Sequence, residues 1–240
     1  MYRLIKANFL KQKRKFSLKL LFVAPLISMF LSILLMGGMF FIENSFNWWY
    51  TLILPSSIFM IVCFNTSDER KKNRHGLFSV YADKRKLWLS AILSNTISLF
   101  VLNFIFFIFI TIFTWFFGFE LRVGVNLFAT FLLTITFSWQ IPLFMFISEK
   151  IGAFMGVFTG LILNMIFGIF FAPTKLWFVP FAIPSRLMCP VVGVMPNGLP
   201  VEIGSNLADS SVVLVGVLIA IVLYFITTIL TTLWYNKLEA

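Results

Sequence analysis

Side chains able to do chemistry are few in this sequence, and they are poorly grouped. The single histidine, His75, has no carboxylate partner beside it. A lone imidazole supports neither a metal site nor a catalytic dyad, so His75 reads as a surface residue. The two cysteines, Cys63 and Cys189, lack the C-x2-C spacing of a metal site and read as small apolar residues. There is no G-x4-G-K-[ST] phosphate loop, no H-E-x-x-H, and no serine–histidine–acid set. The expectation is a chain with no catalytic, metal-binding or cofactor-binding residues of its own, and so not an enzyme.

What the sequence offers instead is apolar length. The 240 residues are 60% hydrophobic and 12% charged, with a mean hydropathy of +0.97. A soluble domain has no use for so much apolar surface, which points to an all-α integral membrane protein. About 20 apolar residues cross a bilayer. Six stretches meet that length: 20–42, 47–64, 88–118, 126–147, 151–172 and 211–234. The first is too long for the h-region of a cleavable signal peptide and reads as a signal anchor. The third is long enough to require tilt or an interfacial extension.

The net charge of +10 then resolves into topology rather than nucleic-acid binding. With six spans, sixteen of the nineteen Lys and Arg residues fall on one side, against Arg122, Lys175 and Arg186 on the other. The positive-inside rule makes that side, and both termini, cytoplasmic. Cys63 and Cys189 then lie near opposite faces and are not expected to bridge. The spans carry no charge near their middles, which argues against a proton- or sodium-driven carrier. Asn95, Asn103, Gln140 and Asn164 remain within them, and the first reading of these is interhelical hydrogen bonding.

Two basic-side features stand out. Residues 1–19, "MYRLIKANFLKQKRKFSLK", place Tyr2, Ile5, Phe9 and Phe16 on one helical face among basic residues, as in an interfacial amphipathic helix. A plain topogenic basic stretch is the alternative. Residues 65–87, "NTSDERKKNRHGLFSVYADKRKL", lie between the second and third spans. Asp68 and Glu69 precede Arg70, Lys71 and Lys72, with Thr66 or Ser67 as candidate N-cap, so a short helix is expected there. Gly76 would end it, and Leu77, Phe78, Val80 and Tyr81 would offer an apolar surface. The segment reads equally as a docking element or as a solvated charged loop.

Residues 173–210 form the other unusual stretch. They hold six of the nine prolines, and within them lies "WFVPFAIPSRLMCPVVGVMPNGLP", Trp177 to Pro200. Trp177, Pro180 and Pro184 open it, and Pro196-Asn197-Gly198 closes it. Proline at this density permits only short helical pieces. Apolar, irregular backbone near a bilayer must be shielded by protein or face a watery cavity. The expectation is a pair of short re-entrant helices entering from outside, then a turn with Asn or Gly at positive φ. An interfacial loop is the plainer alternative. Trp48, Trp49, Trp115 and Trp177 would sit at the outer interface, by default as belt anchors.

Taken with the six-span layout, the 65–87 loop resembles the first cytoplasmic loop of type-2 ABC transporter permeases, and the basic N-terminus resembles their interfacial elbow helix. Trp177–Pro200 resembles the segment of lantibiotic-immunity permeases in which a tryptophan- and proline-containing stretch leads to Pro-Asn-Gly. The resemblance spans nearly the whole chain. It implies that Asp68, Glu69, Arg70, Gly76, Leu77, Phe78 and Tyr81 belong to a loop that docks on an ATP-binding subunit. By its proline spacing and its place on the outer side, the Trp177–Pro200 stretch, with Trp177, Pro180, Pro184, Pro196, Asn197 and Gly198, reads as a re-entrant outer gate element. The resemblance further implies a second permease or self-dimer, ATP used by the partner, a lantibiotic peptide as substrate, and residence in the cell membrane. The general type-2 pattern has a proline where this chain has Ala82 or Asp83. Open alternatives are a type-2 permease for a drug, lipid or glycan, and a non-transporting membrane scaffold or sensor.

Overall fold

The computed structural model describes residues 1–12, 15–36, 40–72, 83–202 and 204–238. The described chain is helical, and its only β-pairing is an isolated bridge between Val194 and Pro200. In order, the helices are α1 (Tyr2–Gln12), α2 (Phe16–Met36), α3 (Phe41–Trp48), α4 (Leu54–Lys71), α5 (Lys84–Phe116), α6 (Val123–Ser138), α7 (Gln140–Ile151), α8 (Ala153–Ile166), α9 (Ile183–Val192) and α10 (Ser211–Asn236). A π turn at Trp49–Ile53 joins α3 to α4, and a second, Phe167–Phe171, extends α8.

Five of the resulting helical runs are long and apolar enough to cross a membrane, or six if α6 and α7 count as one bent span. Their outward faces carry large apolar residues such as Phe22, Phe104, Phe158, Leu218 and Phe225, all exposed. A surface of that kind suits lipid and marks a multi-pass membrane protein.

Several boundaries depart from hydropathy. The expected first span ran to Ile42, but α2 ends at Met36 and Ile42 lies buried in α3. The apolar run continues across this break, so hydropathy alone merges two elements. The second run is longer than expected at both ends, Phe41–Lys71, because the buried polar residues Asn44 and Asn65 interrupt the hydropathy signal without interrupting the helix. The short helix expected to start at Thr66 or Ser67 is absent. Both residues lie mid-helix in α4, and the Thr66 hydroxyl donates back to the Val62 carbonyl at 2.8 Å. At 33 residues α5 is about 50 Å long at 1.5 Å per residue, against a hydrocarbon core of about 30 Å.

The α6–α7 bend is 40°. Pro142 causes it: the ring nitrogen has no hydrogen for the Ser138 carbonyl, and the helix breaks one turn upstream. The Trp139 carbonyl at the break accepts from Thr227 Oγ1 of α10 at 3.2 Å, so a neighbouring helix satisfies what the break exposes. Between α7 and α8, Gly152 takes φ +91°, a backbone conformation that side chains disfavour. α8 then returns closely along α4. At Gly160 a Cβ would lie 2.5 Å from the Phe59 ring, and at Gly156 it would lie 2.9 Å from Cys63 Sγ. Small residues at a helix contact let two backbones approach, which is how helices associate when lipid offers no hydrophobic drive.

Candidate functional site

Three constellations carry the polar chemistry of the bundle. The first is the 173–210 segment. Residues 173–182 form successive turns rather than a helix: Trp177 N–H reaches Thr174 O, Val179 N–H reaches Leu176 O, and Ala182 N–H reaches Val179 O. The expected pair of short helices is therefore one helix, α9, preceded by turns. Pro173, Pro180 and Pro184 leave too little uninterrupted backbone for a second. Pro184 sits in the first turn of α9, where its missing donor costs nothing. Gly193, at φ +82°, ends the helix.

α9 is almost wholly enclosed. Every residue from Ile183 to Cys189 is buried, packed against α6, α10 and both π turns. Arg186 is 4% exposed, yet its guanidinium is satisfied. Nη1 donates to Leu207 O at 2.8 Å and Nη2 to Asn206 O at 2.7 Å. Planar, forked donors suit such a pair of carbonyls. Just beyond, Asp209 Oδ1 accepts from Ser211 N–H at 2.9 Å and Oδ2 from the Ser211 hydroxyl at 2.7 Å. These bonds, the hydroxyl's first, hold the Asp209 carboxyl below its usual range.

The Pro-Asn-Gly turn is a tight hairpin tip. Gly198 N–H donates to Met195 O at 2.9 Å, Met195 N–H to Leu199 O at 2.8 Å, and Val201 N–H to Gly193 O at 2.9 Å. Gly198 alone of the three turn residues takes positive φ, +87°, the arrangement of a type I turn followed by a glycine bulge. Asn47 at the end of α3 clasps this tip. Its Nδ2 lies 3.0 Å from Met195 O, 3.1 Å from Pro196 O and 3.1 Å from the Tyr50 hydroxyl. Of the residues singled out in the sequence, Pro184 and Pro196 are buried, Trp177, Pro180 and Gly198 are half-buried, and Asn197 is exposed.

The second constellation is a set of buried side-chain pairs between helices. Trp49 Nε1 donates to Asn103 Oδ1 at 2.9 Å, and Asn103 Nδ2 donates to Thr134 Oγ1 at 3.0 Å. Trp49 is fully buried and stacks on Phe106 with centroids 4.4 Å apart, so it is not the interfacial belt residue expected. Gln140 and Asn164 exchange two bonds, at 3.2 and 2.8 Å. Asn95 Nδ2 points at Met145 Sδ, 3.6 Å away. All four polar residues picked from the sequence thus bind across helices. Trp115, by contrast, is 75% exposed at the end of α5. Both cysteines are buried and free. Among the described residues no group of three or more His, Cys, Asp or Glu could hold a metal.

The third constellation gathers charges at one end of the bundle. Lys11 Nζ meets Glu69 at 2.9 Å, and Lys15 Nζ meets Asp68 at 2.9 Å. Arg70 Nη1 donates to Glu149 O at 2.6 Å, tying α4 to the end of α7. Asn8 Nδ2 reaches Ser90 Oγ at 3.3 Å, which seats α1 on α5. Asp83 caps α5, accepting from Arg85 N–H at 3.0 Å, and Lys84 Nζ donates to Leu238 O. Lys150 lies 5.1 Å from the Trp234 ring centroid. At the other end, Arg122 pairs with Glu120 at 2.7 Å and Glu43 at 3.1 Å. The Arg122 hydrogen bond draws the exposed Glu120 carboxyl below its usual range. Asp68, Glu69 and Arg70 therefore form the last turns of a spanning helix. Gly76, Leu77, Phe78 and Tyr81, and His75 with them, lie outside the described residues.

No protein-family model, curated protein or solved structure matches this chain.

Sequence reasoning missed the clasp by Asn47 and the burial of Arg186. Neither was without a signal. An asparagine among aromatics at a span end, and an arginine inside an apolar proline-rich stretch, are each too costly to bury unpaired. What the sequence does not carry is the identity of their partners, backbone carbonyls 148 and 21 residues away.

Proposed function

We propose that this chain is the permease subunit of an ATP-driven exporter of the type-2 ABC class, with six spans and both termini cytoplasmic. In this reading the substrate is a lantibiotic peptide, expelled from the cell membrane so that the producing cell tolerates it. ATP is hydrolysed by a separate ATP-binding subunit that docks on the connection between α4 and α5, including Leu77, Phe78 and Tyr81. A second permease or a second copy of this chain completes the membrane pathway.

The observation that carries the reading is how that connection is anchored. α4 enters it through Asp68, Glu69 and Arg70, each bonded to another element, and α5 leaves it through the Asp83 cap. A push on either of these helix ends would be passed to α1, α4, α5 and α7 together. The enclosed α9, followed by the hairpin tip that Asn47 clasps, supports a role for this segment as an outer gate.

The test is co-purification. The full chain is expressed with the ABC ATPase and second permease of its own gene neighbourhood, and ATPase recovery is compared with the triple variant Leu77→Asp, Phe78→Asp, Tyr81→Asp. Loss of the ATPase with retained folding supports the docking assignment; full recovery overturns it. Growth of a sensitive host carrying the same genes reads the substrate, and unchanged tolerance to every lantibiotic tried would overturn the peptide assignment.

A further inference from the structure

α1 lies over an empty space. Leu4, Ala7, Asn8 and Lys11 share one face at helical spacing, and all four border a cavity of about 260 Å³. α4, α5, α7 and α10 supply most of the remaining lining. From these come Trp88, Ser94, Met145 and Tyr235, which are only 3%, 1%, 1% and 6% exposed. Yet none of the 11 residues of α1 is itself buried. The helix therefore bounds a buried junction of four helices without packing into it.

Its fastenings are light. Lys11 Nζ meets Glu69 at 2.9 Å, with both side chains about a third exposed. Asn8 Nδ2 reaches Ser90 Oγ at 3.3 Å, beyond the usual N–H···O range. An ion pair open to water contributes little and is weakened by salt. An 11-residue helix is also marginal by itself, so little intrinsic stability holds α1 in this place. Its opposite face carries Tyr2, Arg3, Lys6 and Leu10, all exposed, and no acid. Basic and apolar groups together suit the headgroup region, so α1 needs no protein partner when it leaves its seat.

We infer that α1 is a lid, latched by Lys11 and Glu69, over a vestibule at the charged end of the bundle, and that it opens as ionic strength weakens the latch. Opening brings Ser94 and the stacked rings of Trp88 and Tyr235 into contact with water. The inference stands apart from the exporter reading, because it concerns this chain alone and its test uses neither an ATPase nor a peptide.

Ser94→Cys places a thiol of nearly the same size in the lining. The full-length variant, purified in detergent, is treated with a neutral, water-soluble methanethiosulfonate reagent, and the labelling rate is read by mass spectrometry. The parent chain supplies the background, since Cys63 and Cys189 are both buried. Helical content and elution volume confirm that each variant folds. Labelling is expected to be slow at about 20 mM salt and about two- to five-fold faster at about 500 mM, the range that an exposed ion pair can account for. Lys11→Met removes the latch with little change of side-chain length. In Ser94→Cys it should raise labelling at low salt by a similar factor and abolish the salt response. Thr136→Cys is the control, fully buried in α6 and away from the cavity, and should stay unlabelled throughout. Labelling of Ser94→Cys that ignores both salt and Lys11→Met would overturn the lid. So would a parallel rise at Thr136→Cys, which would mean that salt loosens the whole bundle.

Discussion

Asn47 holds the hairpin tip of residues 193–201, and Asn47→Leu isolates that hold. The amide offers two hydrogens to three acceptors, Met195 O, Pro196 O and the Tyr50 hydroxyl. At most two full bonds are made at once. At a net worth near 1 kcal/mol each, their loss removes about 2 kcal/mol from the closed tip. Since 1.4 kcal/mol is a factor of ten, opening becomes roughly 30-fold more frequent. Amide hydrogen exchange reads this directly. Met195, Gly198 and Val201 carry the hairpin's backbone bonds and should exchange about 30-fold faster in Asn47→Leu, while amides in the middle of α5 keep their protection. Asn197→Ala is the comparison, because that exposed side chain serves only its own turn, accepting from Leu199 N–H at 3.1 Å. Its effect should be several-fold smaller. Unchanged exchange at the tip in Asn47→Leu, or faster exchange in Asn197→Ala than in Asn47→Leu, would show that packing of Pro196 and α9 holds the hairpin and that the clasp is incidental.

Two further perturbations probe the bundle. Gly160→Ala forces a methyl against the Phe59 and Phe144 rings and should destabilise by roughly 1–3 kcal/mol, read as a lower Tm in detergent; Gly124→Ala meets open space in α6 and should leave the Tm unchanged or slightly raised. A double-mutant cycle on Gln140→Leu and Asn164→Leu, measured by unfolding in bilayer-mimicking micelles, should return a coupling of about 0.6–1.7 kcal/mol, the range of hydrogen bonds between membrane helices, and a value near zero would mean the pair is not formed.

The presence of five or six long apolar helices was legible because apolar length is a one-dimensional property, whereas their ends were not. The buried pairs were half legible: Asn103 or Gln140 inside a span must find a partner, but which one depends on how helices turn about their axes. The run Asp68–Lys72 was misread for a physical reason. Acids followed by bases fit the start of a short helix, where the dipole welcomes the acids. They fit equally well the end of a long one whose acids are met by Lys11 and Lys15 from another element. Trp49 was misread similarly, since a tryptophan near a span end looks interfacial until Asn103, 54 residues on, takes its indole N–H. Proline spacing correctly limited 173–210 to short pieces, but it carries no information on depth, and so the burial of α9 from Ile183 to Cys189 was not readable.

The seat of α1 also sets an order in time. Its bonds reach forward 58 residues to Glu69 and 82 residues to Ser90. The ring of Trp88 beside that seat is held by Thr231 at 3.1 Å and stacked on Tyr235, both in α10. α1 therefore has no seat until α4 and α5, which follow it in the sequence, are in place. The start of α5 that receives it is in turn braced against α10 through Trp88. Docking of α1 thus reports on helices far along the sequence, a local contact that depends on distant ones.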